Sequence, residues 1–256
     1  TGKDLDLVVK ENIRGEEGTY VDITVLRGEN AEETPLHVER RSIEVPTVEY
    51  QMLENQVGYI YVTQFDEVTA KQFEDAIDDL EGQGMEKLVI DLRNNPGGVL
   101  DTAVEMLAYV LPEDKLDGML VYTADKNGEG DRYFCKDGKI QRESDDGSRD
   151  SRYPKEDDHE LDVPLAVLVN GNSASASEVF TGAVMDYDAG IVVGTTTFGK
   201  GIVQNLIPLG DGTAIKLTTA HYYTPNGFDL HGKGLEPDVV VEMDDKCYNK
   251  KVANPL

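Results

Sequence analysis

The sequence has no tryptophan, only two cysteines and four histidines, and 24 basic against 50 acidic residues. The resulting net charge of −26 opposes binding to nucleic acid or to anionic lipid, because both require Lys and Arg to neutralise phosphate. We therefore expect no nucleic-acid partner. No apolar run approaches the roughly 20 residues that span a bilayer, and no charged-then-apolar signal segment opens the chain.

The scarce cysteines and histidines also limit the chemistry. Cys135 and Cys247 lie far apart and form no C-x-x-C pair, so two unpaired thiols are favoured over a metal knuckle or a long-range disulfide. The cysteines therefore do not indicate whether the protein resides in an oxidising or a reducing compartment. The histidines show no spacing that favours a Ser–His triad. They are His37, His159, His221 and His231.

The length of the chain and a proline at position 46 predict two parts. A chain of 256 residues exceeds one average domain. Residues 1–43 predict a short helix followed by two alternating strands, which make a poor independent core. Pro46 marks the boundary to a second domain at 44–256. Because the first residue is Thr1 rather than Met, we expect a piece of a longer protein.

Beyond Pro46 short apolar runs alternate with amphipathic stretches. This pattern predicts an α/β domain with parallel strands. The predicted strands are 57–65, 87–92 and 165–170, and the predicted helices are 69–81, 99–111 and 174–187. Residues 125–162 are polar, acidic and without clear periodicity, so they predict an irregular surface excursion.

The segment 171–178 (GNSASASE) lies between a predicted buried strand and a helix. Its small residues allow close approach of a substrate, and the helix start offers unpaired N–H groups, as a nucleophile and an oxyanion hole require. The alternative is ordinary capping, with Glu178 closing a capping box. The segment is not a G-x-S-x-G elbow, since position 177 is Ser.

Lys200 is the stronger candidate for a base. It follows the apolar strand 191–194 within the sequence TFGKG. To act at neutral pH the pKa of a Lys must fall by roughly three units, which costs about 4 kcal/mol. Burial near Phe198 and Ile202 could supply this shift. The alternative is an ordinary solvent-exposed Lys.

Five blocks in order, with a Ser and a Lys 25 positions apart, resemble the carboxy-terminal processing (tail-specific) serine proteases. The blocks are VGYIYVTQF at 57–65, VIDLRNNPGG at 89–98, LVNGNSASASE at 168–178, TTFGKGIVQ at 196–204 and YYTPNG…GKGLEPD at 222–238. The resemblance implies a ClpP/crotonase-like spiral of parallel strands and helices. It also implies that residues 1–43 are the C-terminal half of a PDZ domain, whose carboxylate-binding loop and first strands precede Thr1.

The same resemblance assigns a Ser–Lys dyad. Ser175, the middle Ser of the SASAS run, matches the nucleophile, and Lys200 matches its general base. Gln204 resembles the third residue, which orients the Lys. Ser173 and Ser177 then become supporting residues at the helix start.

The oxyanion hole implied by the resemblance consists of the Ala176 N–H and one glycine N–H, with Gly98 preferred over Gly97. The implied reaction is endoproteolysis near protein C-termini through an acyl-enzyme, with no metal or cofactor. The partners are protein or peptide substrates with exposed C-termini, and the sequence leaves homo-oligomerisation open. The resemblance implies an extracytoplasmic place, in the bacterial cell envelope or secreted.

Two other functions compete with proteolysis. An inactive peptide-binding or scaffolding protein on the same fold would need neither Ser175, Lys200 nor Gln204 at this spacing. A crotonase-like acyl-CoA enzyme would share the glycine turns but gives no reason for the Lys.

Overall fold

The computed structural model describes residues 5–28, 30–42, 44–111, 118–136, 139–154, 161–210 and 212–242. The chain forms two compact units, Thr1–Val45 and Pro46–Leu256. In the first unit helix α1 (Leu5–Val8) runs into a π-turn, and strands β1 (Tyr20–Arg27) and β2 (Glu32–Glu39) form an antiparallel hairpin. The sequence predicted this order of one short helix and two strands.

A six-stranded sheet forms the centre of the second unit. Its strands are β3 (Val48–Leu53), β4 (Val57–Val62), β5 (Lys87–Asp91), β10 (Leu165–Val169), β11 (Ile191–Gly194) and β14 (Val239–Val240). Their order is β14-β11-β10-β5-β4-β3, with every neighbouring pair parallel except β3 and β4. The predicted α/β class with parallel strands is thus confirmed.

Three helices connect the parallel strands. They are α2 (Thr69–Gly82), α3 (Leu100–Val110) and α4 (Ala176–Asp186). The apolar face predicted for α2, with Phe73, Ala76, Ile77 and Leu80, is buried. The first nine residues of α4 are all buried, because this helix runs through the core. Because β5 and β10 are parallel neighbours, the loops that follow them start at the same, carboxyl-terminal edge of the sheet.

The predicted strand 57–65 ends early, at Val62. Phe65 instead pairs with the turn that precedes α3: its N–H donates to Gly97 O (3.1 Å), and its carbonyl accepts from Val99 N (2.9 Å). The apolar pattern continues to Phe65 because this side chain is buried, although its backbone has left the sheet.

The prediction of an irregular segment at 125–162 is wrong for three stretches of six residues, which form strands. It contains β7 (Asp131–Lys136), β8 (Lys139–Ser144) and β9 (Arg149–Pro154). With β6 (Met119–Ala124), β12 (Ile202–Pro208) and β13 (Ala214–Tyr223) they form a second, antiparallel sheet in the order β12-β13-β6-β7-β8-β9. Tyr133 and Cys135 are buried at a spacing of two, but charged neighbours mask this alternation in the sequence. Residues 155–160 lie outside the described ranges.

Cys135 is buried and forms no disulfide within the described residues, and Cys247 lies outside them. No helix in the described ranges is both long and apolar enough to cross a membrane.

Candidate active site

Ser175 occupies the junction between β10 and α4, where it is the residue before the first helical turn. Its φ of 58° and ψ of −117° place a non-glycine residue in a rarely populated backbone region. Such strain costs about 1–3 kcal/mol and persists only where neighbouring contacts enforce it. The Ser175 side chain is partly exposed, whereas Ser173 and Ser177 on either side are buried.

The Glu178 carboxylate binds the Ser175 backbone in this geometry. It is fully buried in the first turn of α4. Its Oε2 accepts hydrogen bonds from the backbone N–H groups of Ser175 (2.9 Å) and Lys200 (2.8 Å). Its Oε1 accepts from Thr197 Oγ1 (2.6 Å) and Gly199 N (2.7 Å). One side chain therefore joins the Ser175 segment to the Lys200 loop.

From the sequence alone Glu178 is predicted only to close a capping box, which the structure contains. Its additional partners, Thr197, Gly199 and Lys200, are 19 to 22 positions away in the chain. The signal available in the sequence is an acidic residue within a run of small and apolar residues, which is expected to be buried with them. A buried charge requires several hydrogen-bond donors, so further partners for Glu178 could be expected.

The loop that carries Lys200 has further backbone anchors. Thr197 exchanges hydrogen bonds with Leu235, through its N–H (3.0 Å) and its Oγ1 (2.8 Å). Phe198 N donates to Ser173 O (3.0 Å), directly beside the Ser175 segment. At Gly199 φ is +85°, and an added Cβ would lie 2.9 Å from Gly234 N. The loop is thus held from two sides.

The structure brings the backbones of Ser175 and Lys200 together without joining their side chains. In the described part of the chain no hydrogen bond links Ser175 Oγ to Lys200 Nζ, and no group bonds or pairs with that Nζ. Lys200 is partly exposed. Gln204 is exposed on β12, and its Nε2 lies 3.4 Å from Thr218 Oγ1 rather than at Lys200.

The turn before α3 lies against Ser175. A Cβ added at Gly97 (φ +92°) would lie 2.5 Å from Ala174 O, 2.7 Å from Ser175 Cβ and 2.8 Å from Ala176 N. Gly97 N donates to Asn95 Oδ1 (2.9 Å). By contrast, Gly98 N and Ala176 N have no acceptor among the described residues. Two unsatisfied N–H groups therefore belong to the two segments that meet at Ser175.

A buried ion pair supports the end of β5, just before this turn. Asp91 accepts hydrogen bonds from Tyr59 OH (2.6 Å) and from the Arg93 backbone and guanidinium. Burial, reinforced by the Asp91 carboxylate, raises the pKa of Tyr59 above its ordinary range. The hydrogen bond to Asp91 raises the pKa of Arg93. The Arg93 cation and the Tyr59 hydroxyl together compensate the buried carboxylate.

The histidines form no triad with Ser175 within the described residues. His221 Nδ1 lies 3.6 Å from Asp229 Oδ1, and the His221 and His231 rings pack edge to face with centroids 4.8 Å apart. Among the residues that the structure describes, no three His, Cys, Asp or Glu side chains cluster as metal ligands would.

Comparison with known proteins assigns the family. The model of peptidase family S41 matches residues 56–241. A probable CtpA-like serine protease of Staphylococcus aureus is 39% identical over 241 residues, covering 94% of this chain and 44% of that protein. A protein of the same description from Staphylococcus haemolyticus is 39% identical over 240 residues. The chain therefore belongs to peptidase family S41, which confirms the resemblance to C-terminal processing serine proteases.

Solved structures agree with this fold. The photosystem II D1 C-terminal processing protease is 28% identical with a TM-score of 0.61, covering 89% of this chain and 57% of that protein. A putative S41 protease from Bacteroides fragilis is 17% identical with a TM-score of 0.60, covering 96% and 65%, and supports the fold alone. The chain spans less than half the length of the curated relatives that it matches.

Proposed function

We propose that this chain is a serine endopeptidase that uses Ser175 as nucleophile and Lys200 as general base. The observation that carries the proposal is that one buried carboxylate oxygen, Glu178 Oε2, binds the backbone amides of both residues. The Lys200 backbone is held close to Ser175, and a Lys side chain is long and rotatable. Its amine can therefore reach the Ser175 hydroxyl and accept the hydroxyl proton.

In the proposed reaction Ser175 Oγ attacks the scissile carbonyl while the neutral Lys200 amine takes the hydroxyl proton. The protonated Lys200 then gives this proton to the leaving amine as the peptide bond breaks. Lys200 then takes a proton from a water molecule that attacks the acyl-enzyme carbonyl. The ester bond to Ser175 Oγ breaks, Lys200 returns the proton to this oxygen, and the second product leaves with its new carboxylate. Substrate that excludes water from the partly exposed Lys200 would favour its neutral form.

The proposed oxyanion hole consists of the Ala176 and Gly98 N–H groups. Both amides lack an acceptor in the described structure, and preorganised backbone donors of this kind stabilise a tetrahedral oxyanion. Gly97 is the weaker alternative because its N–H already donates to Asn95 Oδ1.

Gln204 remains the proposed residue that orients Lys200, on the strength of the family resemblance. Because its amide contacts Thr218 here, this role requires a rearrangement of the β12 side chains when substrate binds. Gln204→Ala should then lower turnover without removing it.

The remaining parts of the proposal concern the longer protein. We assign residues 1–43 to the second half of a PDZ domain, and residues 44–256 to a ClpP/crotonase-like spiral. The substrates would be proteins with exposed C-termini, in line with a D1 C-terminal processing protease among the similar structures. An extracytoplasmic place in the cell envelope accords with a similar fold described as a Streptococcus agalactiae lipoprotein.

The test compares peptide cleavage by Ser175→Ala and Lys200→Ala with two matched controls, Ser42→Ala and Lys216→Ala, at exposed positions. We expect both site variants to lose turnover while retaining the wild-type unfolding transition, and both controls to cleave normally. Wild-type cleavage by either site variant would refute the dyad. A wild-type chain that binds peptide without cleaving it would instead indicate the inactive scaffold.

A further inference from the structure

Asn95 is completely buried where the glycine turn meets the segment around Ser175. It precedes Pro96, Gly97 and Gly98 in the turn before α3. No role follows for it from the reaction outlined above. Its hydrogen bonds nevertheless reach three separate parts of the site.

Every polar side-chain atom of Asn95 has a partner. Oδ1 accepts from Gly97 N (2.9 Å), and Nδ2 donates to Val62 O (2.8 Å) at the end of β4. The Asn95 backbone carbonyl accepts from Ala174 N (3.0 Å) and from Ser177 Oγ (3.0 Å). One residue thus connects strand β4, the glycine turn and both sides of Ser175.

These contacts fix the peptide groups of the turn. Gly97 O accepts from Phe65 N (3.1 Å), so the Gly97–Gly98 peptide is anchored by its carbonyl. In a planar trans peptide the N–H points opposite to the C=O, and Gly98 N–H is therefore directed away from Phe65. Gly97 N–H, in the preceding peptide, is held by Asn95 Oδ1. Glycine tolerates rotations that other residues resist, so both anchors are needed to hold this orientation.

From this arrangement we infer that Asn95 is a positioning residue, which occupies the Gly97 N–H so that only the Gly98 N–H of this turn faces the oxyanion. The inference rests on the proposed function, since it concerns the same oxyanion hole. Asn95 itself touches neither the substrate nor the reacting atoms. It acts through Gly98 and through the contact of its carbonyl with the residues around Ser175.

The inference predicts a particular kinetic effect. Without the Asn95 amide the turn can rotate at Gly97, and the Gly98 donor is lost from the transition state but not from the substrate complex. The loss of one oxyanion donor lowers kcat by about 10²–10³. We therefore expect Asn95→Ala to lower kcat by that factor with little change in KM, and to weaken a peptide aldehyde far more than an uncleaved peptide.

A second variant separates positioning from folding. Asn95→Asp has the same shape, and a protonated carboxyl can donate to Val62 O while its other oxygen accepts from Gly97 N. Burial at this position disfavours the ionised form of this carboxyl. The ratio of Asn95→Asp to wild-type kcat should then be near one at low pH and fall as the carboxyl ionises. Asn205→Asp, on exposed β12, is the matched control and should give a constant ratio.

The experiment measures kcat and KM from pH 5 to 9 for wild type, Asn95→Ala, Asn95→Asp and Asn205→Asp, with aldehyde affinity at each pH. A selective loss of kcat in Asn95→Ala and a pH-dependent ratio for Asn95→Asp support the inference. Wild-type kcat in Asn95→Ala, or a flat ratio for Asn95→Asp, overturns it while leaving the dyad intact. Wild-type cleavage by Ser175→Ala in the same assay would overturn the proposed function and the inference together.

Discussion

The backbone amides of Ser175 and Lys200 donate to the same atom, Oε2 of Glu178, at 2.9 and 2.8 Å. The distance between the two nitrogens therefore cannot exceed the sum of these two hydrogen-bond lengths. This relationship connects residues 25 positions apart and does not depend on the rotamer of the Lys200 side chain. It makes Glu178 the structural centre of the site.

The first prediction concerns Glu178→Gln. Each oxygen of the Glu178 carboxylate accepts two hydrogen bonds. A Gln amide keeps only one acceptor oxygen, so its NH₂ group would face the other two donors and leave them unsatisfied. At about 1–3 kcal/mol for each buried unsatisfied group, the free energy of unfolding should fall by about 2–6 kcal/mol. Turnover should fall at least tenfold, since the Ser175 and Lys200 segments separate.

Urea unfolding and peptide cleavage measure both effects. Glu54→Gln, in the exposed turn between β3 and β4, is the control and should change neither. If Glu178→Gln unfolded and cleaved as wild type does, the carboxylate would not hold the site together.

The second prediction concerns Gly97→Ala, with Gly84→Ala as its matched control. Both glycines have positive φ, +92° and +87°, which costs an L residue about 1–2 kcal/mol. An added methyl at Gly84 meets no atom within 4 Å, whereas at Gly97 it would lie 2.5 Å from Ala174 O. Gly97→Ala should therefore lose about 1–3 kcal/mol more stability than Gly84→Ala, and it should abolish turnover.

Thermal unfolding with peptide cleavage distinguishes the two variants. Equal destabilisation by Gly97→Ala and Gly84→Ala, with activity retained in both, would contradict the close contact between the turn and Ser175.

The third prediction tests the burial of β7. Burial, reinforced by the charges of Asp101 and Asp131, raises the pKa of Tyr133 to about 12. Between pH 10 and pH 12 the unfolded phenol therefore loses its proton while the folded one keeps it. Stability present below pH 10 is lost as the pH rises through this window, at most about 3 kcal/mol.

Tyr133→Phe removes this titration, so its melting temperature should fall less steeply than that of wild type between pH 10 and pH 12. Tyr20→Phe, at an exposed position, is the control and should retain the wild-type slope. Identical slopes for Tyr133→Phe and wild type would show that Tyr133 is solvated.

The sequence predicted those elements whose signal is local. The apolar face of α2, the short apolar strands β5 and β10 and the helix after Ser175 all show their period within the segment itself. Strands β7 to β9 were missed because their stability comes from pairing with one another and with β6. In β7 Tyr133 and Cys135 are buried at a spacing of two, and the charged neighbours obscure this alternation in the sequence.

The candidate site divides in the same way. Ser175 and Lys200 could be selected by motif resemblance, and the structure brings their backbones together. The roles of Glu178 and Asn95 could not be predicted, because their partners lie far away in the chain and depend on the packing of the loops. Gln204 shows the converse: the motif is present, yet its amide contacts Thr218 in this structure.

The central claim is that Lys200 activates the Ser175 hydroxyl. The most direct measurement is labelling with an alkyl fluorophosphonate, followed by intact mass and peptide mapping, in wild type, Lys200→Ala and Lys216→Ala. We predict one adduct on Ser175 in wild type and Lys216→Ala, and none in Lys200→Ala. An adduct on another residue, or equal labelling of Ser175 without Lys200, would contradict the account.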